Sequence, residues 1–61
     1  MSEIEKIIAE IAHLNTLRMV NVALAQQDAA KARIYKAHVE RFGKQMKELC
    51  RDLIGTLNVE E

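Results

Sequence analysis

Tyr35, Val39, Phe42, Met46, Leu49 and Leu53 recur at alternating steps of four and three residues, the spacing of an apolar seam along one side of a helix. Counting sevens back from that seam passes Ala32, Asp28, Ala25, Asn21 and Arg18 and lands on Leu14, Ile11, Ile7 and Ile4 with no break in phase. Nearly the whole chain therefore keeps one helical period, and two all-α folds satisfy it. One is a single rod about 80 Å long at ~1.5 Å per residue, paired as a parallel coiled coil. The other is an antiparallel two-helix hairpin.

The middle of the chain decides between them. In a rod, Arg18, Asn21, Ala25, Asp28 and Ala32 would be consecutive seam positions, too polar and too small to hold two chains together. A reversal within the run "AQQDAAK" removes that problem, because Asp28 can cap a second helix that opens on Ala29 and Ala30. The expected fold is one helical-hairpin domain over residues 1–61. Helix 1 covers about residues 3–25, a turn residues 26–28 and helix 2 residues 29–57, before a short acidic tail. Composition agrees, for the chain has no proline, two glycines and only Tyr35 and Phe42 as aromatics. Ser2 followed by Glu5 reads as a capping box that starts helix 1.

A reversal at residues 27 to 28 would set Ile11 against Lys44 to Met46, Leu14 against Phe42, Leu17 against Val39 and Asn21 against Tyr35 or His38. Leu14, Leu17, Asn21 and Leu24 would then cover helix 2, with Cys50, Ile54 and Leu57 widening its seam. The run "LRMVNVALAQ" at residues 17 to 26 carries more apolar residues than that single contact can use. Met19, Val22 and Ala23 are left facing outward, flanked by Ile8 and Ile54, and an outward apolar patch at mid-helix marks an interface. Asn21, Tyr35 and His38 can form a polar layer in the core that fixes register at some cost in stability.

Size points the same way. A chain of 61 residues buries only about 60% of the surface its unfolded form exposes. Such chains need disulfides, metals or oligomerisation. One cysteine excludes an internal disulfide, and His13, His38 and Cys50 show no metal-ligand spacing, so no cofactor is expected. Oligomerisation remains, and the expected assembly is a homodimer of hairpins forming a four-helix bundle.

Nine basic and nine acidic residues balance overall, yet seven Lys and Arg face only two Glu between Lys31 and Arg51. Arg33, Lys36, Lys44, Lys47 and Arg51 on helix 2 form either a solvated face or a surface for an acidic partner or nucleic-acid phosphates. A hairpin dimer is similar in architecture to the Rop family of plasmid RNA-binding proteins, and that resemblance implies RNA or DNA contact through this basic face. Catalysis is not expected, because no nucleophile, base and pocket come together. The start "MSEIEK" is acidic where a signal peptide is basic, and no apolar run reaches the roughly 18 residues of a membrane span, so a cytoplasmic protein without membrane attachment is expected. A small protein-binding regulator, acting on a larger cytoplasmic protein as inhibitor, adaptor or chaperone, is the leading functional expectation. Phage, plasmid and bacterial circuits use such regulators.

Overall fold

A computed structural model describes residues 2–60, the side chain of Glu60 excepted. Two α-helices pack against each other as an antiparallel hairpin: α1 spans Glu3–Gln27 and α2 spans Ala32–Glu60, joined by Asp28 and a short 3-10 turn over Ala29–Lys31. The seam stays in phase through the turn and closes on itself, so the rod is not formed.

Local chemistry sets both ends of α1. Ser2 sits in extended backbone, φ −71° and ψ 162°, and its Oγ accepts the Glu5 backbone N–H at 3.1 Å. The Ser2 hydroxyl in turn donates to Glu5 Oε1 at 3.2 Å, closing a capping box through the side chains. At the far end Asp28 leaves the helix at φ −128° and ψ 91° while its N–H still donates to the Leu24 carbonyl at 3.0 Å. Asp28 also starts the 3-10 turn, since both its Oδ1 and its carbonyl accept the Lys31 N–H, at 3.3 and 3.2 Å. One extended residue and one tight turn reverse the chain. No described residue has a positive φ, so the reversal needs no glycine.

Because α1 continues to Gln27, the reversal comes later than expected; Asn21 still meets His38, one of its two expected partners, while the pairings farther from the turn shift. Counted along the helices from the Asn21–His38 contact, Ile4 comes level with about Thr56, Ile7 with about Leu53, Ile11 with about Leu49, Leu14 with about Met46 and Ala25 with about Tyr35. Leu17 is level with Phe42, and Asn21 with His38 and Val39. The expected placements of Ile11 against Lys44 to Met46, Leu14 against Phe42 and Leu17 against Val39 are each short by about one turn. Ala25, half-buried, holds the place expected for Leu24, which is 36% exposed. Small residues suit that place, since a turn this tight leaves little room between the helices beside it. Helix α2 also runs on through Glu60, where a short tail was expected.

The hairpin is a single layer of 49 × 18 × 10 Å measured on Cα atoms. A slab one helix thick has no interior, and among the described residues only Ile7, at 7% exposure, is buried. Other seam residues are half-buried. Replacing Asp28 with Ala removes the acceptor that starts the second helical stretch, and a lost cap of this kind costs about 0.5–2 kcal/mol. Thermal unfolding followed by circular dichroism should show the lower melting temperature, and an unchanged curve would mean that Asp28 does not hold the turn.

Candidate interaction surface

One polar contact ties the helices together across the seam. His38 Nδ1–H donates to Asn21 Oδ1 at 3.3 Å, and Asn21 Nδ2 donates to the Leu17 carbonyl at 2.8 Å, so the amide is oriented by its own helix before it meets its partner. The His38 ring meets Phe42 edge-on, with centroids 6.5 Å apart and planes at 67°. Arg41 also lies against the Phe42 ring, its Cζ 5.5 Å from the centroid. Tyr35 is half-buried one layer nearer the turn, and no hydrogen bond joins it to Asn21 or His38 among the described residues. Of the three polar residues singled out in the sequence, two meet and the third stands beside them.

The outward apolar residues gather on one broad face. A groove lined by Arg18, Met19, Val22, Ala23, Gln26 and Val39 runs into a second lined by Val22, Ala25, Gln26, Lys36, Val39 and Glu40. Beyond Arg18 it continues along α2 past Gly43, Met46, Lys47, Cys50 and Ile54. Met19 is 62% and Ile54 60% exposed. Ile8, half exposed, precedes Val22 by two heptads and so projects from the same flank of α1. Arg18 is steadied there by its Nη2 donating to Asn15 Oδ1 at 3.1 Å.

The basic residues of α2 are not on a separate surface. Lys44, Lys47 and Arg51 rim the groove along α2, Lys36 rims it nearer the turn, and Arg33 stands beside Lys36, Ala37 and Glu40. The face is thus an apolar floor with a basic edge, and the apolar patch and the charged face read separately in the sequence are two parts of it. Cys50, Ile54 and Leu57 do not widen the seam. All three are exposed, because each stands one position past an inward residue of α2 (Leu49, Leu53 and Thr56), and Cys50 and Ile54 line the groove instead.

Sequence reasoning missed a second apolar set. Val20, Leu24 and Ile34, which is 55% exposed, lie on the flanks turned away from the groove, near the turn. Their signal was available, since Val20 and Ile34 occupy equivalent positions two heptads apart. His13 is exposed on α1. Among the described residues no three His, Cys, Asp or Glu side chains gather closely enough to hold a metal ion.

Helix α1 is long and apolar enough, by length and composition, to cross a membrane. It also carries Glu10, Asn15, Arg18 and Asn21, and charged groups at the centre of a bilayer cost about 2.5–3.5 kcal/mol each on insertion scales. No family model, curated protein or solved structure matches the chain.

A double-mutant cycle on Asn21→Ala and His38→Ala should give a coupling of about 0.5–1.5 kcal/mol, the range of a partly buried hydrogen bond. Strict additivity of the two unfolding free energies would show that the pair contributes nothing beyond its separate side chains.

Proposed function

We propose that this chain is a non-enzymatic regulator that works in the cytoplasm as a homodimer of helical hairpins and binds a larger protein. The observation that carries the reading is the single-layer build, in which two helices leave large apolar side chains exposed on both of their broad faces. A face rich in exposed apolar residues calls for a partner. The groove face, with Met19, Val22 and Ile54, is covered by a second hairpin, giving a four-helix bundle. The opposite face, with Val20, Leu24 and Ile34, remains free for the larger protein. Inhibitor, adaptor and chaperone all act in this way, by occupying a surface.

Nucleic-acid binding in the manner of Rop-like hairpin dimers is the weaker reading. Lys36 and Lys47 edge the groove that the second hairpin covers, so phosphates and dimerisation compete for part of the same face. The contact of α1 with α2, with Asn21 hydrogen-bonded to His38, supports a packed α1 over one inserted in lipid.

Two substitutions separate the faces. Met19→Lys places a charge in the groove and should reduce the sedimenting species from twice 7.0 kDa to the monomer. Ile34→Asp should leave the dimer intact and abolish recovery of a stoichiometric protein partner from nuclease-treated host lysate. A parent chain that sediments as a monomer, or partners that vanish on nuclease treatment alone, would contradict this reading.

A further inference from the structure

The groove on the face with Met19, Val22 and Ile54 carries charge of one sign. Its lining holds Arg18, Lys36, Lys44, Lys47 and Arg51 against Glu40 alone. All of these cations but Arg18 come from α2 between Lys36 and Arg51, so the charge follows one edge for about four turns of helix. The α1 edge, with Met19, Val22, Ala23 and Gln26, is uncharged apart from Arg18. Glu3, Glu10 and Asp52 line the other side of the molecule, with Gly55. A second copy presenting this same face brings cations to cations, with only Glu40 to offset them. The complementary occupant is apolar where it meets the floor and acidic along one flank.

We propose that the groove seats an amphipathic helix of another protein, about four turns long, with its apolar stripe on Met19, Val22 and Ile54 and a row of carboxylates along the α2 edge. The trough between two packed helices is a seat for a third. Met19 and Met46 give it unbranched side chains that adapt to the stripe they meet. The floor also favours a peptide over phosphates. Met19 is 62% and Ile54 60% exposed, and phosphate contacts along the basic edge would cover neither. Tyr35 and Phe42 are half-buried in the seam and do not line the groove, so no ring is placed there to stack a base.

The proposal goes beyond the homodimer reading and does not depend on it. The acidic helix takes the place of the second hairpin, so dimer and complex exclude each other. The face with Val20, Leu24 and Ile34 is unaffected.

The probe is a synthetic helical peptide of about 16 residues, a little over four turns, with leucines at every third and fourth position and glutamates along one flank. Mixed in excess with the full chain, it should give a sedimenting species of one chain with one peptide and no dimer. Capture should weaken at least tenfold when the glutamates become lysines, and again when the leucines become alanines, and it should weaken as salt rises. Lys44→Glu combined with Lys47→Glu, at two exposed positions, should reverse the preference between the glutamate and lysine peptides, while Ile34→Asp leaves both affinities unchanged. Failure of the glutamate peptide to bind overturns the proposal. Equal capture of the leucine and alanine peptides also overturns it, since charge attraction without the floor gives that result. Preferential binding of a single-stranded oligonucleotide or of phosphatidylserine vesicles does the same. A dimer that persists beside unbound peptide overturns the proposal and leaves the homodimer reading standing. A chain that is monomeric alone yet captures the glutamate peptide supports the proposal and overturns only the homodimer.

Discussion

Everything in this molecule depends on one apolar seam closing against itself. Ile4, Ile7, Ile11 and Leu14 on α1 and Met46, Leu49, Leu53 and Thr56 on α2 are its inward positions away from the turn, and no disulfide or second layer supports them. The contact is linear, so each layer shields its neighbours along the axis and leaves its flanks to solvent. Burial of a single residue, Ile7, expresses that geometry. Helices in proteins draw most of their stability from packing of an apolar face rather than from propensity, and the pair stabilises both helices at once.

The same continuity of phase that permits a rod also permits the hairpin, and the turn chooses. Asp28 ends one helix and begins the next with its own backbone and carboxylate. Ala25 and Ala32 beside it are small enough for the helices to converge. Farther from the turn the seam widens to isoleucine, leucine, methionine and phenylalanine. Asn21 and His38 stand at the boundary between these regimes, where one cross-helix hydrogen bond distinguishes the native register from a slipped one. A single layer held in this way leaves two broad faces, and the proposed dimer and its larger partner each use one.

Much of the fold was legible in the residues. The seam, the Ser2 cap, the role of Asp28 and the reach from Asn21 to His38 all come from local periodicity and side-chain chemistry. The register did not, because a reversal without glycine or proline carries no punctuation, and "AQQDAAK" is as good a helix as a turn until Asp28 is seen to bond both ways. That uncertainty of about one turn shifted the pairings away from the turn, whereas Cys50 faces outward because it stands one position off the seam. The apolar groove and the basic rim looked like separate surfaces because they belong to different helices, and only the pairing of α1 with α2 brings Arg18 beside Gly43 and Lys47 and Met19 beside Val39. Val20 and Ile34 escaped notice for a related reason. Each lies off the seam of its own helix, and although they share a heptad position only the hairpin sets them on one face.

The central claim is that the continuous seam folds back on itself within one chain. Its most direct measurement is the distance between spin labels at Glu3→Cys and Asn58→Cys in a Cys50→Ser background, with labelled chains diluted in excess unlabelled protein so that only intrachain pairs are read. The hairpin predicts a narrow distribution on the order of 10–20 Å, the spacing of adjacent packed helices plus the label arms. A distribution centred near ~80 Å, the length of a continuous helix at ~1.5 Å per residue, would contradict the account.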